Sequence, residues 1–160
     1  MKTALLLVAA LAACGGKPAT ATTPAPKAAA TAPLQIKLAT IYVDDQDKAL
    51  HFYTDVLGFA KKDDVTSGPY RWLTVSADTE GGQLQLAANG DPAAKAYQQA
   101  LFDKSMPAAM FFTDDVKREY ERIKAKGGEF TMPPTAVTHS TIAMLKDTCG
   151  NLIQITQLDH

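Results

Sequence analysis

The chain has 160 residues, 46% of them hydrophobic, with 16 basic and 17 acidic side chains and a formal charge of −1. All the acidic residues but only 13 of the basic ones follow Pro33, so the 127 residues after it carry four excess negative charges. That length suits one domain, and the absence of a basic cluster interleaved with aromatics excludes nucleic acid as a partner.

The first residues, "MKTALLLVAALAAC", place Lys2 before an apolar run from Ala4 to Ala13 that is too short to span a bilayer. Residues 1–13 therefore read as a secretion signal. Their end, "LAAC" at 11–14, resembles the bacterial lipobox. That resemblance implies a lipid on Cys14, a membrane anchor and a place in the bacterial cell envelope, facing the periplasm. Residues 14–33 continue as Ala, Thr and Pro with two lysines and no large apolar side chain. Such a segment buries too little surface to offset the entropy of ordering it. It reads as a tether, extending at about 3.1 Å per residue to roughly 60 Å. With Cys14 lipidated, Cys149 is left alone and no internal disulfide is expected.

From Leu34 to His160 the chain repeats itself. "IYVDDQDKALHFYTDVLGF" (41–59) superposes on "FFTDDVKREYERIKAKGGE" (111–129) at an offset of 70, pairing Asp44 with Asp114, Asp45 with Asp115 and Gly58 with Gly128. In each copy a strand meets an aspartate suited to capping a helix, and a glycine follows the helix end. Ala49, Phe52, Tyr53, Val56 and Leu57 form the apolar stripe of the first helix; Val116, Tyr120 and Ile123 form that of the second. Alternating runs follow each helix: "YRWLTV" and "GQLQLA", then "STIAML" and "NLIQIT". The closing motifs match at an offset of 69, "DTEGGQLQLAA" (78–88) against "DTCGNLIQITQ" (147–157), which sets Asp78 on Asp147, Thr79 on Thr148, Gly81 on Gly150 and Gln85 on Gln154. Between the copies, 91–104 reads as a connecting helix with Asp91 as cap and Pro92 in its first turn. Module one then covers about 35–89 and module two about 107–157.

Strand side chains point alternately to opposite faces. One set, Ala39, Ile41, Val43, Leu84, Leu86, Ala109, Phe111, Ile153 and Ile155, should pack under the helices. The other set is mixed: Leu38, Thr40, Tyr42, Gln83, Gln85, Ala87, Ala108, Met110, Phe112, Leu152, Gln154 and Thr156. The offset of 69 adds Trp72 and Thr74 to this face, and with them Thr141 and Ala143. A face neither charged nor wholly apolar suggests a lined cavity or a subunit contact.

The strand ending in "VDD", the helix "QDKALHFYTDVLGF" and the closing "DTCGNLIQI" closely resemble the vicinal oxygen chelate superfamily, which includes glyoxalase I, extradiol dioxygenases and bleomycin-resistance proteins. The resemblance spans about residues 35–157. It implies an α+β fold of two paired βαβββ modules whose curved sheets form a cup. Metal-dependent members hold their ion on the first and last strands of each module, and the matching positions here are Leu38 and Gln85, Ala108 and Gln154. Two hydrocarbon side chains and two neutral amides supply no charge to offset dehydration of a divalent ion. No metal and no other cofactor is expected. The cup should instead bind a small neutral or weakly charged molecule through Thr40, Tyr42, Trp72, Thr74, Gln85, Met110, Phe112 and Gln154.

No residue takes a catalytic role by spacing alone. His51 lies off the apolar stripe of its helix and reads as solvated. His139 begins a strand near the cup rim, His160 is terminal, and Cys149 reads as a small turn residue with nothing beside it to lower its pKa. Two alternatives stay open: a glyoxalase-like or dioxygenase-like enzyme with relocated ligands, His139 and Asp147 among them, and a homodimer or partner interface across the cup.

Overall fold

The computed structural model describes residues 36–77 and 82–159. The signal and tether readings, Cys14, His160 and the first copy of the closing motif at Asp78, Thr79 and Gly81 lie outside the described residues. Two four-stranded sheets form. Module one runs β1 (Leu38–Val43), α1 (Gln46–His51), β2 (Ala60–Ser67), β3 (Tyr70–Ser76) and β4 (Gln83–Ala88), in the order β1-β4-β3-β2. After α2 (Pro92–Asp103), module two runs β5 (Ala109–Phe112), α3 (Val116–Ala125), β6 (Phe130–Val137), β7 (Ser140–Lys146) and β8 (Leu152–Leu158), in the order β5-β8-β7-β6. β1 pairs in parallel with β4, and β5 with β8.

Each helix begins where an aspartate can satisfy free amides. Asp45 accepts from the N–H groups of Asp47 and Lys48, Asp91 from Ala93 and Asp115 from Arg118. The first helix does not stay α-helical. Phe52–Val56 form a π-helical turn in which Leu57 N–H reaches back to Phe52 O at 3.0 Å. Within it, Thr54 Oγ1 donates to Leu50 O at 2.8 Å, a back-bond of the kind that bends helices. Gly58, at φ +85°, ends the turn. In the second copy the left-handed residue is Gly127, not Gly128, whose Cβ would lie 2.4 Å from a methyl carbon of Ile123.

The helix stripe is buried as expected: Ala49, Phe52, Tyr53 and Leu57 pack with Ile41, Val43, Leu73, Val75 and Leu86 of the first sheet and Ala143, Leu145, Ile153 and Ile155 of the second. Each large side chain here contributes about 2 kcal/mol through apolar burial. One core thus serves both modules. The outer edges are guarded. β2 is exposed throughout and carries Lys61, Lys62, Asp63 and Asp64, while β6 contains Pro133 and Pro134.

Thr141 and Ala143 correct the face assignment. Met144 stands opposite Gln154 and Ile142 opposite Thr156, whereas Ala143 pairs with Ile155 and is fully buried in the core. The cause is one residue of loop length. Thr74 pairs with Gln85 in module one and Met144 with Gln154 in module two, so the offset on this strand is 70 and not 69. A slip of one residue inverts every side chain of a strand.

The turn between β7 and β8 clasps the modules together. Asp147, fully buried, accepts from the N–H groups of Cys149 and Asn151 at 2.8 Å each and from Asn151 Nδ2 at 2.6 Å, with Tyr53 Oη at 3.4 Å. Asn151 Nδ2 also donates to Tyr42 O on β1. Gln98 of α2 donates to Tyr42 O and to Cys149 O, and accepts from Asn89. Burial raises the pKa of the Asp147 carboxyl against the pull of these donors. Replacing Asp147 by Ala would strand three buried donors, and we expect a loss of about 3 kcal/mol in urea unfolding. Asp147→Asn, which keeps an acceptor for the two backbone amides, should lose less; no measurable loss in Asp147→Ala would show that the carboxylate is not the organising group.

At the other end of the first sheet, Arg71 binds Asp64 through two N–H groups, at 2.7 and 3.0 Å, and Asp47 at 2.7 Å. Arg71, and then Lys61, hold the Asp64 carboxyl down at about 2. A depressed carboxylate stabilises the fold above its ordinary pKa of 3.8 and loses that contribution as pH falls through about 2. A carboxyl-detected NMR titration should therefore place the Asp64 midpoint near 2, and the Arg71→Leu variant should return it towards 3.8.

Candidate functional site

The face turned away from the core carries the residues expected of a cup. On the first sheet, Thr40 of β1, Gln85 of β4 and Thr74 of β3 stand in one row. Thr40 Oγ1 donates to Gln85 Oε1 at 3.0 Å, and Gln85 Nε2 donates to Tyr70 Oη at 2.9 Å. Thr74, fully buried, is engaged from β2: its Oγ1 accepts from Asp63 N–H and donates to Asp63 Oδ2, both at 3.1 Å. Its hydroxyl therefore tethers the bulged edge strand. Trp72 is half-buried opposite Val65, and Tyr42 lies two residues beyond Thr40 on β1.

On the second sheet Met110 and Phe112 are exposed, at 54% and 66%. Gln154 Nε2 donates to Thr156 Oγ1 at 3.0 Å. Among the described residues nothing donates to Gln154 Oε1. The twin glutamines therefore differ: Gln85 is tied at both ends of its amide, and Gln154 keeps an open acceptor.

No ladder joins β1 to β5, but the two strands border shared cavities in opposite directions. Thr40 to Tyr42 share a cavity of about 190 Å³ with Ala108, at the start of β5, and with Tyr97, Gln98 and Asn151. Leu38 and Ala39 share another with Phe111, near the end of β5. The positions matching the metal ligands fall in two pairs, Leu38 with Gln85 on one sheet and Ala108 with Gln154 on the other.

The alternative ligands do not converge. His139, at φ +60°, sits in the turn before β7 and Asp147 follows its far end, so roughly 20 Å of strand separates them. Asp147 is enclosed by its own turn. His51 is exposed and pairs with Asp55 at 2.6 Å. Cys149 is buried, and burial, with Asp147 nearby, pushes its thiol up to about 12. A thiol so raised is a poor nucleophile.

Sequence reasoning missed Tyr70, Ile142, Met144 and Tyr97. Tyr70 shares the parity of Trp72 and Thr74, so alternation alone could have placed it on this face. Ile142 and Met144 were hidden by the register slip. Nothing in the spacing of α2 could have brought Tyr97 to the junction of β1 and β5.

Comparison with known proteins agrees with this architecture. The family model described as "Glyoxalase/Bleomycin resistance protein/Dioxygenase superfamily" matches residues 35–155. The uncharacterized protein YurT of Bacillus subtilis is 49% identical over 126 residues, covering 78% of this chain and 99% of its own. A probable lactoylglutathione lyase of Vibrio cholerae is 30% identical, over 72% of this chain and 84% of its own. The crystal structure of TnmS3, an antibiotic binding protein from Streptomyces sp. CB03234, superposes with a TM-score of 0.64 at 25% identity, covering 79% of this chain and 97% of that one. With its two βαβββ modules and its match across the folded part, the chain belongs to the glyoxalase/bleomycin resistance protein/dioxygenase superfamily.

Proposed function

We propose that this domain binds a small neutral or weakly charged molecule on its cup face without a metal ion. The observation that carries the reading is the pair of amides: Gln154 offers an open acceptor beside Met110 and Phe112, and Gln85 is held rigid by Thr40 and Tyr70. A ligand donor meeting Gln154 Oε1 would be oriented there, while Tyr42, Trp72, Met110 and Phe112 supply contact area. Thr74, bound to Asp63, shapes the floor.

A divalent cation does not fit these residues. Leu38 and Ala108 have no donor atom, Gln85 Oε1 already accepts the Thr40 hydroxyl, and no carboxylate or imidazole stands at any of the four positions. The similarity to TnmS3 supports binding, since that protein is an antibiotic binding protein.

The likeness to a probable lactoylglutathione lyase favours a second reading, a lyase with ligands elsewhere. A third follows from the exposed Met110, Phe112 and Leu158, a surface that a second copy of the chain would cover. On any of these readings, lipid on Cys14 would hold the domain at a bacterial membrane.

The test is a thermal-shift screen of neutral aromatic and heterocyclic compounds, with metal analysis of protein purified without a histidine tag. A compound that raises the melting temperature should do so equally after treatment with a chelator. Gln154→Ala and Trp72→Ala should each weaken it by about tenfold, or 1.4 kcal/mol. Stoichiometric metal lost together with binding on chelation would select the enzymatic reading. Undiminished affinity in both variants would remove the cup as the site.

A further inference from the structure

The two halves of the duplication are not alike where they meet. Beside the end of β1, Asn151 and Gln98 fill the seam and bond to Tyr42 O. Asn151 stands three residues ahead of Gln154; three residues ahead of Gln85 stands Gly82. The counterpart of the Asn151 amide is thus missing, and among the described residues no helix takes the place of α2 on this side. A cavity of about 250 Å³ lies there, walled by Ala39, Phe59, Val75, Leu84 and Phe111.

Its lining is almost entirely hydrocarbon. Two bordering polar contacts are internal, Ser76 Oγ donating to Gly82 O at 3.2 Å and Gln83 N–H to Lys37 O at 2.8 Å, and Lys37 and Gln83 also border the cavity. Phe59 and Phe111 meet edge to face at 5.1 Å on the inner side, and a smaller cavity of about 120 Å³ shares the same two rings. The mouth opens beside Ile36, which is 97% exposed.

We propose that this cavity is a second ligand site, separate from the cup amides, for an uncharged apolar molecule of one or two rings. The hydrocarbon wall gives water little to bond, and a charged group set against it would lose hydration that the wall does not replace. An apolar protein cavity of about 150 Å³ stays dry and takes benzene, so this larger one has room for a substituted or fused ring. Such a ligand would present its edges and faces to Phe59 and Phe111.

Toluene is the probe, titrated into the full chain and followed by NMR of the Val75 and Leu84 methyls and the Phe59 and Phe111 rings. Saturable shifts at these groups, with Trp72 and Gln154 unmoved, are expected; benzoate, the charged analogue, should give none. Ala39→Phe fills the cavity from its solvent side and should weaken toluene by at least about tenfold. If that variant fails to fold, Gly82→Leu makes the same test, since a Cβ there meets only Lys37 O, at 3.6 Å, and its carbonyl carbon, at 4.0 Å. Shifts centred on Trp72 and Gln154, no saturation up to the solubility limit, benzoate binding as tightly as toluene, or unchanged toluene affinity in a folded filled variant would each overturn the proposal.

Discussion

Asp147 sits in the interior, and among the described residues no cation pairs with it. Isolated, an ionised carboxylate in such a place would be prohibitive. Three close donors from its own turn, with the Tyr53 hydroxyl more distant, make it tolerable, and together they fix the turn beside the first helix. Tyr53 comes from the first helix, Cys149 and Asn151 from the last hairpin, and Asn151 passes the connection on to β1 through Tyr42 O. The seam between the modules is therefore fixed at one end by polar chemistry that cannot slide, because every displacement would leave a buried group unpaired. The relative placement of β1 and β5, and hence the shape of the cup face, depends on that point.

Duplication accounts for the architecture, and departures from it account for the chemistry. The same strand position carries Gln85 in one module and Gln154 in the other, yet their surroundings differ. Thr40 and Tyr70 reach Gln85, while the positions facing Gln154 hold Met110 and Met144, which cannot donate to it. One amide is bonded at both ends and the other through its nitrogen alone. The same divergence appears at the seam, where Asn151 and Gly82 occupy equivalent places and produce a bonded junction on one side and a void on the other. A protein assembled from two copies of one unit obtains two environments through a few substitutions, without altering its backbone plan.

Much of this was legible beforehand, because the governing physics is local. Alternation of apolar residues in β1, β4, β5 and β8 shows which face each strand buries, and the caps at Asp45, Asp91 and Asp115 follow from the need of first-turn amides for an acceptor. What escaped was what depends on pairing. The register of β7 turns on one residue of loop length, invisible to periodicity, and it exchanged Thr141 and Ala143 for Ile142 and Met144. β2 and β6 are edge strands whose charges and prolines suppress the very alternation that would have revealed them. Asp147 read as a motif residue and a candidate ligand; its burial beside Tyr53, 94 positions away, depends on the tertiary fold.

The neutrality of the cup face bears on the kind of molecule it could hold. Apart from the Asp63 carboxylate bonded to Thr74, its polar groups are amides and hydroxyls, and the ion cluster at the edge of the first sheet sets Arg71 and Lys61 against Asp64 and Asp47. An anionic ligand would find no counter-charge there to recover its lost hydration. The domain's excess of acidic residues adds a modest repulsion for anions at long range, screened within about 8 Å at physiological salt. A glutamine where a glutamate could stand has the opposite virtue. It offers a directional acceptor without the desolvation cost of a carboxylate, so on the proposed reading discrimination would rest on where a ligand places its donor and on how well its flat surface fits Trp72, Tyr42 and Phe112.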